Sequence, residues 1–261
     1  MINVKTDFGA AGDGVTNDTL ALQNALDSVR DGGEIFFPKG VYLLTACLIF
    51  YSHQTLKFEQ GATLKRGDEE QKYLLASYTT EEQTGYTACC DAVIDGATFD
   101  GDADIEMRIT MMNTCHAKNI TIRNCTFRNG CFWHYIECNS TEHGIIHDCV
   151  FESSYSSDYE KGEMIQFDFS IIGNYGPVED VHGNEIKFAS DSTVCHDMEV
   201  YNCKFYGYGF APAIGNHGDA PHNNIRIHNN EFIGSFGHRG PVNFVPKTYD
   251  VKLYDNIEKP E

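Results

Sequence analysis

The chain has 261 residues, 41% of them hydrophobic, and a formal net charge of −19 at pH 7 from 38 acidic and 19 basic side chains. That excess of acid excludes a nucleic-acid partner, whose phosphates require a basic surface, and favours neutral or mildly charged glycans over strongly polyanionic ligands. No apolar run approaches the roughly eighteen residues of a membrane helix, and no basic segment followed by an apolar stretch opens the chain. No membrane partner is therefore expected, and the expected location is cytoplasmic, or secreted if a leader has been removed.

In chain order, residues 1–45 read as a cap. Asp7 to Asp18 is a Gly/Asp-rich loop, and Thr19 to Val29 carries apolar residues at helical spacing after a candidate cap at Asn17 or Asp18. Gly32 to Leu44 follows as two strands around a turn. An amphipathic helix laid across the first unit of a repeat array would close the open end of its core.

The repeat itself begins near residue 91. Asp91-Ala-Val-Ile-Asp-Gly-Ala-Thr-Phe99 is followed by Asn119-Ile-Thr-Ile-Arg-Asn-Cys-Thr-Phe127 and His143-Gly-Ile-Ile-His-Asp-Cys-Val-Phe151. Asp197-Met-Glu-Val-Tyr-Asn-Cys-Lys-Phe205, Asn224-Ile-Arg-Ile-His-Asn-Asn-Glu-Phe232 and Asp250-Val-Lys-Leu-Tyr-Asp-Asn-Ile257 complete the series. Measured at the Cys position, copies fall at 97, 125, 149, 203, 230 and 256, with steps of 28, 24, 54, 27 and 26. The long step reads as two periods with one degenerate copy. Alternation over three to five positions is strand periodicity. Asn124, Asp148, Asn202, Asn229 and Asp255, each before a Cys position, suit a left-handed bend and a column of side-chain hydrogen bonds. The Cys and Phe columns should point inward and stack.

A coil of short strands returning every 24 to 28 residues is a parallel β-helix, each rung burying its apolar face against its neighbours. The reading is all-β and a single domain over 1–261, with the cap and first strands in 1–45 and the rungs in 46–261. An antiparallel sandwich would not bring the phrase back in phase. The repeated inward cysteines serve as small hydrophobes, vertical neighbours are poorly placed for disulfides, and no spacing suggests zinc, so the thiols are expected to be reduced.

The run D-F-G-A-x-G-D-G-x-T-x-D-T-x-A-L-Q-x-A-L, followed by G-G-x-I-x-F-P-x-G-x-Y, resembles the N-terminal cap of pectin-lyase-like proteins. That superfamily includes polygalacturonases, pectate lyases, other polysaccharide hydrolases and lyases, and phage tailspike depolymerases. The resemblance implies a right-handed, single-stranded parallel β-helix with an N-terminal capping α-helix, carbohydrate chemistry, and a monomer or homotrimer. The N-T-D and D-D motifs of polygalacturonases have no counterpart in the central rungs, and Gly215-Asn-His-Gly218 is a loose echo of their G-H-G. No polygalacturonase residue is carried over, and pectate-lyase calcium sites are equally hard to identify.

The strands after each Phe are the informative ones. If Ile165 and Phe167 face the core, Gln166 and Asp168 face solvent. Matching Ile165 with Ile214 and Phe244 puts Asp168, His217 and Lys247 in one outward column at about 4.8 Å per rung, with Glu137 in it or one position beside it. Groups stacked so closely perturb one another's proton affinities. Glycosidic cleavage needs one protonated and one ionised carboxyl. Glu163 and Asp168 are the expected acid/base pair, with His217 orienting or protonating. Gln166, Asn216, Glu137, His134, Lys247 and Arg239 are expected to bind substrate, and Trp133, Tyr135, Tyr206 and Tyr208 are candidates for stacking on sugars or for packing. Glu163-Met-Ile-Gln-Phe-Asp168 with Ile214-Gly-Asn-His217 is similar to patterns in bacterial β-helix proteins of glycoside-hydrolase type. Residues 170–196 leave the coil after Asp168 and should wall a groove over the column.

The leading expectation is a glycoside hydrolase acting on a poly- or oligosaccharide, with no metal or organic cofactor. A polysaccharide lyase or epimerase acting on uronates is the enzymatic alternative. A glycan-binding or tail-fibre-like structural module is the non-catalytic one.

Overall fold

The computed structural model describes residues 1–105, 107–130, 133–153, 162–172, 178–209, 211–216 and 218–260. Apart from one short antiparallel ribbon, its paired strands run parallel, in a sheet of seventeen strands and a second of nine. The chain coils as a right-handed parallel β-helix.

The bends explain the coil. Asn124, Asp148, Asn202, Asn229 and Asp255 hold φ of 54°, 55°, 53°, 55° and 54°, the left-handed conformation that short polar side chains tolerate. Asn124 Nδ2 donates to Asp95 Oδ1 at 2.7 Å, and Asn119 Nδ2 to Asp91 Oδ1 at 2.8 Å. After each bend the Phe column enters the core. Phe99, Phe127, Phe151, Phe205 and Phe232 stack with ring centroids 4.7 to 5.0 Å apart. Cys125, Cys149 and Cys203 are buried beside them, and every described cysteine is a free thiol.

Helix α1 (Thr19–Ser28) covers the N-terminal end of the core. Leu22, Ala25 and Leu26 are fully buried, and Gln23 fixes the helix by bonding both the N–H and the C=O of Ile49. Asp18 stands at the start of the helix, but its carboxylate accepts from Ala11 N and Gly12 N, so it ties down the glycine-rich loop. The two expected strands are Gly33–Phe37 and Gly40–Leu44.

The long step differs from expectation. Val150 pairs directly with Lys204 and Phe151 with Phe205, so no degenerate rung lies between them. One turn of the coil instead carries a large insertion. Asn139 pairs with Asp168 and Glu142 with His196, so the two residues between Asn139 and Glu142 face the whole of 169–195. The gap is stitched by Cys195, whose thiol donates towards the carbonyls of Cys138 and Asp168 and whose sulfur accepts from Thr141 N. Within the excursion, Val178–Glu179 and Glu185–Ile186 form the antiparallel ribbon. Val178 and Ile186 pack on Cys47, Ile49, Tyr51, Tyr73, Ala76 and Cys115. The described part of the excursion thus roofs the outer face of the upstream rungs, and does not wall a column running from Asp168 to Lys247.

Candidate functional site

Six strands on the outer face of the larger sheet set the site's rows. Leu75, Met112, Ile136, Ile165, Ile214 and Val242 align as the inward row. One position on, Ala76, Asn113, Glu137, Gln166, Gly215 and Asn243 align facing outward. Two positions further, the outward row holds Cys115, Asn139 and Asp168.

This register corrects the expected column. Ile214 pairs with Val242, not with Phe244, so Lys247 falls outside the Asp168 row. Lys247 lies in a turn, ion-paired with Asp219 at 2.8 Å. Glu137 sits beside Gln166, while Asn139 takes the place beside Asp168. Asn216 aligns with Phe167 on the inward row; its amide accepts from Val245 N and donates to Thr248 Oγ1, so it holds the chain and does not face a ligand. Arg239 is exposed in the Gly237–Gly240 turn. His217 lies outside the described residues. Tyr135 is core, stacked near Phe127 and Phe151 with its hydroxyl donating to Glu152 O. Trp133 is half-buried, in a tilted contact with Tyr73 and under the Arg108 guanidinium.

Outward does not mean solvated here. Glu137 is 4% exposed, Gln166 and Asp168 2% each, and Asn113 and Asn139 fully buried. Burying such groups is costly unless they are paired. Asp168 is paired: Phe169 N donates to Oδ1 at 2.8 Å and Gln166 Nε2 to Oδ2 at 3.3 Å. Glu137 behaves differently. Burial first, and then the charge of Asp168, push its carboxyl up to about 8. The amides of Asn113 and Asn139 lie close enough to oppose that rise, yet among the described residues neither Glu137 Oε1 nor Asn113 Nδ2 or Oδ1 nor Asn139 Nδ2 makes a hydrogen bond of standard geometry. At neutral pH Glu137 is therefore a protonated acid, one rung from the Asp168 carboxyl.

Glu163 completes the set from the side. It precedes the Ile165–Asp168 strand, and its carboxylate lies over Gly215, where a Cβ would meet Glu163 Cγ at 2.9 Å and Oε1 at 3.2 Å. His134 Nδ1 donates to Glu163 O at 2.8 Å and lies 3.8 Å from Glu163 Oε2. At 9% and 7% exposed, Glu163 and His134 are the members nearest the surface. The structure thus gathers Glu137, Gln166 and Asp168 on neighbouring rungs, seats Glu163 over the Gly215 position of the Glu137 row and ties His134 to it; it separates Asn216, Lys247 and Arg239 from them.

Three groups escaped sequence reasoning: Asn113, Asn139, which alternation from Ile136 would have placed beside Asp168, and His222. Asn113 extends the Glu137 row, and alternation from Met112 would have identified it. His222 has no periodic signal. It is buried, its Nδ1 accepts from Cys195 N at 3.0 Å, and burial holds its imidazole down at about 4, so it is neutral. Among the described residues no helix is long and apolar enough to cross a membrane.

The chain is similar over 166 residues, at 25% identity, to plasmin and fibronectin-binding protein A of Streptococcus pneumoniae; the match covers 56% of this chain and 23% of that protein. A stretch of 73 residues is 42% identical to an exo-poly-α-D-galacturonosidase of Dickeya chrysanthemi, covering 28% of this chain and 12% of the enzyme. The chain thus matches less than a quarter of the length of these curated relatives. Among solved structures, the Streptococcus pneumoniae surface adhesin PfbA superposes with a TM-score of 0.76 at 21% identity, over 98% of this chain and 61% of the adhesin. An exopolygalacturonase of Thermotoga maritima superposes with a TM-score of 0.73 at 15% identity, over 98% of this chain and 65% of the enzyme. At these identities both show the fold alone. Residues 1–235 match the family model described as rhamnogalacturonase A/epimerase, pectate lyase-like, and the chain therefore belongs to that family.

Proposed function

We propose that the chain is a glycoside hydrolase acting on a poly- or oligosaccharide, with the carboxyls of Glu137, Glu163 and Asp168 supplying acid and base. The observation that carries this reading is the row Asn113, Glu137, Gln166 and Gly215 beside Asp168: outward-facing, buried, and holding polar atoms of Asn113 and Glu137 that make no hydrogen bond of standard geometry among the described residues. A strand face with no ligand to meet has no reason to bear that cost. Environment divides the roles. Glu137, kept protonated, is suited to protonate a leaving oxygen, and Asp168, held by two donors, to act as the ionised partner. Glu163, the most exposed of the three carboxyls, would meet the sugar first, with His134 holding its backbone.

The test is product analysis on a panel of pectic and neutral glycans. Hydrolysis yields new reducing ends without ultraviolet absorbance, and Asp168→Asn should reduce it at least about a hundredfold. An absorbing, unsaturated uronate product would establish a lyase instead. Equal turnover by wild type and Asp168→Asn would remove the site.

A second reading rests on the similarity to a binding protein over 56% of the chain, together with the closure of the row to bulk solvent. In that reading the chain binds a glycan without cleaving it. Binding without any product, retained in Asp168→Asn, is its signature.

A further inference from the structure

Downstream of Asn139 on the same strand, the corner of the coil gathers a second polar cluster, independent of the functional reading above. Lys118, Glu142 and His196 occupy one register column, and His143, Asp197 and Asn224 are the left-handed residues that follow it, with φ of 54°, 55° and 52°. Fifty-four residues separate Glu142 from His196 in the sequence, so no spacing motif marks the cluster.

Its members lie at ion-pair distances, with the two histidines sharing the Glu142 and Asp197 carboxylates. Glu142 Oε1 lies 3.6 Å from His143 Nε2 and 3.8 Å from His196 Nε2, so two imidazoles approach one oxygen at distances too long for hydrogen bonds. A four-coordinate ion about 2.0 to 2.1 Å from each nitrogen and oxygen holds its ligand atoms roughly 3.4 Å apart. Glu142, His196 and Asp197 each offer a ligand atom within 4.8 Å of the other two. The remaining contacts orient these groups. His196 Nδ1 lies 2.7 Å from Asp197 Oδ2, which assigns the ring proton to Nδ1 and leaves the Nε2 lone pair towards Glu142. Lys118 Nζ takes the other carboxylate oxygen, Oε2, at 2.9 Å, and Asn224 Nδ2 donates to Asp197. Side-chain exposures of 17%, 23% and 27% for Glu142, His196 and Asp197 leave the cluster reachable from solvent yet largely fixed.

We propose that this corner binds a divalent transition-metal ion such as Zn2+, with Glu142 Oε1 and His196 Nε2 as ligands, His143 Nε2 approaching the same ion, and Asp197 orienting His196. Bound there, the ion would tie the rung before the 169–195 excursion to the rung after it. A carboxylate with imidazoles favours zinc, cobalt, nickel or copper over magnesium and calcium, which take oxygen ligands.

The test is calorimetric titration of the whole chain with Zn2+ at neutral pH. Expected is saturable binding of one ion, unaffected by excess Mg2+ and weakened at least about tenfold in both His196→Ala and Glu142→Gln. His228→Ala, which removes an ordinary His–Glu pair at 2.9 Å, should bind like wild type. Circular dichroism of each variant separates a lost site from a lost fold, and Co2+ substitution supplies a second readout, a visible absorption band that disappears in His196→Ala. Absence of saturable binding overturns the proposal. So does an affinity unchanged in His196→Ala and Glu142→Gln, or one abolished by His228→Ala.

Discussion

Glu163 occupies the space that Gly215 leaves empty: a Cβ on residue 215 would lie 2.9 Å from Glu163 Cγ and 2.8 Å from Asn243 O. The glycine is not there for a turn. It opens a hole in the Asn113–Glu137–Gln166 row through which a carboxylate from the adjoining segment reaches the face. Gly215→Ala should therefore displace Glu163, lowering glycan turnover at least about tenfold and destabilising the fold by about 1 to 3 kcal/mol through overpacking. Steady-state kinetics beside a thermal melt read the two effects separately. Unchanged turnover would show that the Glu163 position is immaterial.

Glu137 makes stability fall with rising pH. Its carboxyl ordinarily loses its proton near 4.5, whereas in the folded chain it holds it up to about 8. Below 4.5 both states are protonated; between 4.5 and about 8 only the folded chain is, so folding loses on the order of 5 kcal/mol across that window. Denaturant titrations from pH 4.5 to 8.5 on wild type and Glu137→Gln should show this slope flattened in the variant. Parallel slopes would mean that Glu137 is ionised in the fold.

His222 acts in the opposite sense at lower pH. Its imidazole ordinarily titrates near 6.5 and is held to about 4 by burial, so between those values only the unfolded chain takes up the proton. Stability should be fully present above 6.5 and fall by on the order of 3 kcal/mol as pH drops to 4. Direct NMR titration of the imidazole provides the check, and protonation near its ordinary value would contradict the burial argument.

Phe151 stands in the middle of the ring column, about 5 Å from both Phe127 and Phe205. Truncation leaves a cavity between two rigid rungs that cannot collapse, so Phe151→Ala should cost about 3 to 5 kcal/mol. Chemical denaturation of the variant measures it.

At the bend, Asn124 combines a φ of 54° with a hydrogen bond to Asp95. Asn124→Ala loses both and should cost about 1 to 2 kcal/mol, whereas Asn124→Gly relieves the backbone and should cost less. A reversed order would indicate that the left-handed backbone at residue 124 costs alanine nothing.

Much of this molecule is legible in its sequence because the coil is local physics repeated. Asn124, Asp148 and Asn202 announce the left-handed bends, Phe127, Phe151 and Phe205 the ring stack, and the cap motif the helix that Gln23 docks. The pairing of Ile165 with Ile214 follows from the same phase, and with it the outward direction of Gln166 and Asp168.

What the sequence did not carry was the effect of insertions and covers. The 54-residue step looked like two periods because spacing alone does not distinguish a degenerate rung from a loop leaving and rejoining one strand. Val242 and Phe244 are equally apolar, so spacing alone does not identify which pairs with Ile214, and the two-residue difference decides that Lys247 lies outside the Asp168 row.

Alternation, bend chemistry and the cap motif are properties of neighbouring residues, so the sequence alone determined the fold, its period and the faces of its strands. Burial and long-range adjacency belong to the folded coil. Only the tertiary structure decided that the outward row is covered, that Glu137 keeps its proton beside Asp168, and that Glu142 meets His196 across the excursion.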